Sequence, residues 1–237
     1  MSFDGFAPKY DKYNKLHFGE EYDAFREKTV LGGEIVPEDT ILEFGCGTSL
    51  CLEHILKTRP FKGIYIGLDL SSAMLETART KFMISGQQCR DELKTSDSAD
   101  SPFINDQTNP KILHIQIGRS GKLPIRDDSI DVIISSLVLH LLSRERRDEL
   151  FAEFRRVLKP GGRICLNEFG KPGNLRGRIY RFYVLYFWSL FVRDEKNSRD
   201  LFDGCLLTEM KNFFQNASIR ERTREIIDHL VATATRD

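Results

Sequence analysis

An excess of one charge, paired cysteines, long apolar runs and internal repeats are all missing from this sequence, and each absence closes off a class of function. Lysine plus arginine equals aspartate plus glutamate at 35 each over 237 residues, so no global field draws the chain to nucleic acid. The five cysteines, Cys46, Cys51, Cys89, Cys165 and Cys205, are odd in number and form no C-x-x-C pair. They read as scattered reduced thiols of a cytoplasmic protein, which excludes a disulfide framework and any metal site of the zinc type. No apolar run reaches the roughly 18–20 residues that span a bilayer. The start, Met1 to Phe6, lacks the basic and apolar regions of a secretory signal. The absence of repeats excludes solenoids and propellers. What remains is one domain over 1–237, with ample material for a core.

The stretch that organises the chain is Thr40-Ile41-Leu42-Glu43-Phe44-Gly45-Cys46-Gly47-Thr48. Its apolar run predicts a short buried parallel strand. Gly45 and Gly47 permit a sharp turn and a close approach of bare backbone to a ligand. Leu52, Ile55 and Leu56 then follow at helical spacing, so the predicted unit is strand, glycine turn and helix, with helix N–H groups aimed over the turn. A dinucleotide fingerprint needs a third glycine where this chain has Leu50, which weakens the pyrophosphate reading. Glu43 points the same way, because its charge suits a cationic ligand better than a diphosphate.

Further along, Ile64 to Asp69 predicts a second parallel strand ending in an acid, with Ser71-Ser72 as a helix N-cap candidate. An acid in that place can accept hydrogen bonds from both hydroxyls of a ribose. Ser85 to Pro110 is polar and unpatterned, and is expected to be a disordered insertion. Lys111 to Gly118 predicts a third strand and Ile130 to Ser135 a fourth. Ser143 to Leu158 is an amphipathic helix closed by Lys159-Pro160-Gly161-Gly162, and Arg163 to Phe169 a fifth strand. Ile179 to Val192 is strongly aromatic and holds the single tryptophan, Trp188. It reads as a core helix, a pocket wall or, with its flanking arginines, an interfacial contact. Leu206 to Phe214 predicts a helix, and Ser218 to Ile227 and His229 to Thr235 a closing hairpin.

The run E-F-G-C-G-T resembles the first motif of the class I S-adenosylmethionine-dependent methyltransferases. Two later stretches resemble the same family: L-P-I-R-D-D-S-I-D-V-I and R-V-L-K-P-G-G-R. The aromatic entry F-D-G-F-A-P-K-Y-D-K-Y-N-K-L-H-F-G, and E-F-G-K-P with Tyr180 and Tyr183 after it, look like the ubiquinone and menaquinone C-methyltransferases. The resemblance implies a Rossmann-like α/β fold: a seven-stranded, mostly parallel sheet with an antiparallel C-terminal strand and helices on both faces. It implies S-adenosyl-L-methionine as cofactor, held by Glu43, Gly45, Cys46 and Gly47 from the turn and by Asp69 and Leu70 from the second strand. Ser135 at the end of the fourth strand would complete the set. Where the family often carries an acid for the adenine amine, this chain has Gly118-Arg119-Ser120. Arginine has no acceptor lone pair, so Ser120, a backbone carbonyl or water takes that contact.

The reaction so implied is direct displacement of methyl from a sulfonium onto a small, apolar or lipid-like acceptor such as a quinone precursor. A lipid amine or another small molecule is the alternative acceptor, and a non-catalytic cofactor-binding subunit the alternative role. A hydroxyl-bearing ring needs a base, for which His140 is the titratable candidate after the fourth strand; a packed histidine at a helix start is the competing reading. Residues 1–36 are expected to form a helical lid, and 176–214 a helical segment on the substrate side. Together they would roof an apolar acceptor, with peripheral membrane contact as an open alternative.

Overall fold

A computed structural model describes residues 5, 7–18, 21–84, 89–90, 110–118, 121–182, 201–223 and 227–233. Its frame is a single sheet. Strands β1 (Thr40–Phe44), β2 (Ile64–Asp69), β3 (Cys89–Arg90), β4 (Lys111–Gln116), β5 (Ile130–Ser136), β6 (Leu158–Phe169), β7 (Ser218–Thr223) and β8 (Ile227–Thr233) lie in the order β3-β4-β2-β1-β5-β6-β8-β7. All pairings from β3 to β6 are parallel, and β8 runs antiparallel to both β6 and β7. Only the last strand is therefore reversed. The seven strands expected from the resemblance are present, with the two-residue β3 added at the edge.

β1 and β2 lie inside the sheet, and their apolar runs follow from that position. A central parallel strand buries both faces, so successive residues pack in opposite directions. Leu42 and Phe44 join a core with Ile66, Leu68, Ile133 and the helix residues Phe151 and Phe154. Ile41 instead joins Tyr65, Val132, Ile134 and Cys165. Helix α5 (Arg144–Val157) and, after it, α6 (Cys205–Lys211) cover the first face. Helices α2 (Glu21–Gly32) and α3 (Leu50–Thr58) cover the second through Val30, Cys51, Leu52 and Ile55, with Phe82 from α4 (Ser72–Ile84) beside them. A short helix α1 (Tyr10–Phe18) precedes α2.

Several boundaries differ from the sequence reading. The first strand of the closing hairpin, expected to reach Ile227, ends at Thr223, and Ile227 opens β8. The helix ending at Lys159-Pro160-Gly161-Gly162 stops earlier, and strand β6 already starts at Leu158, paired with Ile130. The next pair is Val132 with Arg163, so Lys159 to Gly162 bulge out of the ladder, a local irregularity that proline and glycine tolerate. Cys89–Arg90 pairs with Ile112 and Leu113, which places a strand inside the stretch expected to be a polar insertion. Apart from that pair and Pro110, the insertion lies outside the described residues, as do Trp188 and the rest of the aromatic segment from 183 on.

Because β1, β2, β4, β5 and β6 run parallel, their carboxyl ends share one edge. The sequence-predicted site residues that the structure describes lie in the last residues of these strands or in the turns leaving them.

Candidate cofactor site and active site

The glycine turn opens the carboxyl edge. Gly45 and Gly47 both have positive φ, 68° and 54°, but they are needed for different reasons. A Cβ on Gly45 would lie 2.4 Å from a methyl of Val138 beyond β5, whereas one on Gly47 would meet nothing within 4 Å. Gly45 thus lets the turn pack against the β5 exit, while Gly47 faces open space that a ligand can enter. The Gly45 and Cys46 N–H groups donate to Leu68 O at 2.8 and 3.0 Å, which fastens the turn to the end of β2.

Asp69 closes the same corner. Its carboxylate accepts the Gly47 N–H and the Ser71 N–H, both at 2.8 Å. One side chain therefore ties the β1 turn to the β2–α4 turn. An acid in this place is of the kind that can accept from the hydroxyls of a ribose. Leu70, 44 % exposed, offers an apolar surface beside it, and its carbonyl accepts from Gln116 Nε2 at 3.1 Å.

Glu43 lies beneath the turn rather than in the open space above it. It is buried and accepts a short hydrogen bond from the Tyr65 hydroxyl. That hydroxyl is 3.3 Å from Ser49 Oγ, which is 2.8 Å from His114 Nε2. A buried polar chain thus runs from β1 through β2 and the start of α3 to β4. Burial pushes the Glu43 carboxyl up to about 7, against the pull of the Tyr65 and Cys51 hydrogen bonds and the Arg26 charge. Cys46 is buried, and desolvation, with the charges of Glu43 and Asp69, drives its thiol well up; it serves the site through its backbone. Ser135 donates its hydroxyl to Phe44 O at 2.8 Å, so it braces β5 to β1 where the carboxyl edge begins. Ser120 and Arg119 lie outside the described residues.

Helix α1 reaches this corner from the N-terminal segment. Asp11 accepts from Thr48 Oγ1 at 2.6 Å and from Lys81 Nζ at 3.1 Å, and Lys81 also donates to Thr48 O at 3.1 Å. Desolvation raises the Tyr10 phenol, and Asp11 and Asp69 add to that while Arg26 and an Asn14 hydrogen bond oppose it. Arg26 is a site residue that sequence reasoning missed, only 8 % exposed. Its signal was available: it sits on the same helical stripe as Thr29 and Val30, both buried, where an arginine has no purely solvent role.

Past β5 the chain turns through Leu137 at φ 55° into a 3-10 turn, Leu139–Leu141. This brings His140 inward. The His140 ring is buried with Nδ1 2.9 Å from Glu168 Oε1, and its backbone N–H donates to Glu168 Oε2 at 3.2 Å. Glu168, also buried, stands near the end of β6, and its Oε1 further accepts the Phe169 N–H at 2.9 Å. The His140 ring meets Phe169 edge-on at 5.1 Å, Phe169 stacks on Phe202 at 4.9 Å, and the Arg181 guanidinium lies 5.5 Å over Phe202. Among the described residues no cluster of acids, histidines and cysteines is arranged to hold a metal ion. None of their helices is long and apolar enough to cross a membrane.

Comparison with known proteins agrees with this geometry. The family model described as a methyltransferase domain matches residues 42–166, from within β1 into β6. A demethylmenaquinone methyltransferase of Thermotoga maritima is 31% identical over 232 residues, covering 94% of this chain and 84% of that protein. Its counterpart in Symbiobacterium thermophilum is 28% identical over 191 residues; the match covers 80% of this chain and 65% of the relative's length. Among solved structures, a candidate S-adenosyl-L-methionine-dependent methyltransferase of Methanococcus maripaludis has the same fold, with a TM-score of 0.65 at 19% identity over 100% of this chain and 96% of its own. An open backbone approach at Gly47, an acid at the end of β2 and a parallel sheet with only its last strand reversed coincide with these matches. The chain belongs to the family of S-adenosylmethionine-dependent methyltransferase domains.

Proposed function

We propose that this protein transfers the methyl group of S-adenosylmethionine to a ring carbon of a small apolar acceptor of the quinone-precursor type. The observation that carries the reading is the open approach above Gly47, flanked by the Asp69 carboxylate. The relatives named as demethylmenaquinone methyltransferases support the acceptor class.

The cofactor supplies an activated methyl on a good leaving group, which leaves the protein to align, dry and deprotonate. Gly47 lets the backbone approach the bound nucleoside, Asp69 receives its ribose hydroxyls, and Leu70 lies against its base. Arg26 and Glu43, buried near one another, set the polarity under the turn. Ser120 is the proposed contact for the adenine amine. His140 takes the hydroxyl proton of the acceptor ring, which raises electron density at the carbon to be methylated. Helical residues 175–182 start where β6 leaves the carboxyl edge. Their Leu175, Ile179 and Phe182 are 70, 62 and 73 % exposed. With Arg176 and Arg178 exposed between them, these residues suit an apolar acceptor delivered from a lipid surface.

Two measurements test the reading. Asp69→Ala should weaken cofactor binding by roughly 1.5–3 kcal/mol, since charge-assisted hydrogen bonds are lost; calorimetry reads this directly. The purified chain, given cofactor with an isotopically labelled methyl, should label the ring of a reduced naphthoquinone. Label appearing in an amine lipid instead would move the acceptor class. Cofactor binding without transfer to any acceptor would make the chain a non-catalytic subunit.

A further inference from the structure

We propose that Glu168 is the positioning residue of the acceptor-side base: it fixes His140 in the tautomer whose Nε2 receives the proton. This rests on the reading of His140 as base for a hydroxyl-bearing ring.

The argument starts from the hydrogen bonds that hold the carboxylate. Its two oxygens are each committed to a backbone donor, Oε1 to the Phe169 N–H at 2.9 Å and Oε2 to the His140 N–H at 3.2 Å. Backbone N–H groups can only donate, and two of them on one carboxyl favour its ionised form, which has no proton to give. The His140 Nδ1, 2.9 Å from Oε1, is then the donor in that contact, and the neutral ring carries its lone pair on Nε2. Because the carboxylate binds the backbone of residue 140 as well as its ring, it sets both where the ring starts and how it is turned.

Burial sharpens the case. His140 is 2 % exposed and Glu168 1 %, with Phe169 against the imidazole and Phe202 stacked behind it. A pair kept only for packing could be apolar at lower desolvation cost. Among the described residues, two further charged groups lie near the pair. Directly across the ladder from Glu168 is Asp228, which Arg222 Nε and Nη2 bind at 2.5 and 3.2 Å. Arg181, from the helical turns after β6, lies over Phe202. The pair itself sits where it is needed: His140 comes two residues after Val138, the residue that packs against Gly45.

In the step so assisted, the O–H bond of the acceptor breaks and its proton forms an N–H bond at Nε2, leaving the electron pair on oxygen. A ring carbon then uses its electron pair to bond the methyl group as the carbon–sulfur bond breaks, and that bond's electrons neutralise the sulfonium. Loss of the proton from the methylated carbon restores the ring, the proton held at Nε2 returns to the acceptor oxygen, and one proton is released to solvent per turnover.

The test uses the full chain with a reduced naphthoquinone as acceptor. In wild type, nitrogen NMR of His140 should show Nε2 as the unprotonated nitrogen; a protonated Nε2 with bare Nδ1 overturns the proposal, and this arm needs no variant. Glu168→Gln can turn its amide toward the ring and reverse the tautomer. It should lower kcat by about a hundredfold or more, the scale of positioned acid–base assistance, with cofactor affinity within about twofold of wild type. An unchanged kcat alongside wild-type transfer overturns the positioning role and leaves the proposed function standing. Absence of transfer to any hydroxyl-bearing ring by wild type removes that reading and this inference together.

Discussion

The acids of the candidate site and those of the opposite edge of the sheet have different partners. At the amino edge four described carboxylates face a cation. Asp39 pairs with Arg163 at 2.5 Å, Asp131 with Lys159 at 2.7 Å, and Glu153 and Asp127 with Arg156 at 2.7 and 2.5 Å. Burial opposes ionisation of Asp131, but the Lys159 and Thr40 hydrogen bonds and the charges of Lys159 and Arg163 outweigh it and hold the carboxyl below its ordinary value. At the carboxyl edge the donors to the three acids of the candidate site are a phenol, an imidazole and backbone N–H groups, while Asp228 and Asp11 nearby are held by Arg222 and Lys81. Tyr65 serves Glu43, Gly47 and Ser71 serve Asp69, and His140 and Phe169 serve Glu168. An acid bound to a lysine or arginine has its field cancelled locally. One held by neutral donors keeps a field that favours a cationic ligand such as a sulfonium. The amino edge is built to hold itself together, and the carboxyl edge to receive something.

The strongest way to break this contrast is to close the open side of the carboxyl edge. Gly47→Val should weaken cofactor binding by roughly a thousandfold, about 4 kcal/mol, while the left-handed backbone penalty costs the fold only about 1–2 kcal/mol. Calorimetry and melting read the two separately; wild-type affinity would place the ligand away from the turn.

Glu43→Gln sharpens the contrast from the stability side. The folded carboxyl titrates at about 7 against an ordinary 4.5. Between those values the folded state binds a proton that the unfolded state has released, so wild-type stability falls as pH rises through this window. The glutamine variant has no such term. It should be more stable than wild type by roughly 2–3 kcal/mol above pH 8, an advantage that vanishes near pH 4.5. Urea denaturation at several pH values checks this, and a gap that does not change with pH would show that Glu43 is not the titrating group.

At the amino edge, Arg163→Ala leaves buried Asp39 without its cation and should cost about 1–2 kcal/mol of stability with cofactor affinity unchanged. A loss of affinity there would mean that the edges are not independent. The smallest effect is expected from Asp11→Ala, which frees α1 from Thr48 and Lys81. Partly exposed contacts of this kind contribute about 1 kcal/mol or less, but cofactor dissociation followed by stopped flow should speed up severalfold if α1 covers the turn.

Much of the frame was legible in one dimension. β1, β2, β4 and β5 lie within a residue or two of where the apolar runs placed them, because central parallel strands need continuous burial on both faces. Gly45 and Gly47 were legible because few other residues suit their backbone. Glu168 was not: in sequence it is one polar residue inside a strand, 28 positions from the histidine it holds. Nor was the brace between Ser135 and Phe44, 91 residues apart.

Local chemistry therefore determined the strand–turn–helix unit and the acid ending β2, since apolar period and glycine placement act over a few residues. Tertiary structure decided what each buried polar group does: Glu43 below the turn instead of above it, Arg26 beside it, Glu168 against His140. The physical reason is that a buried polar group must find a partner, and which partner lies within 3 Å depends on how separate strands and helices come into register.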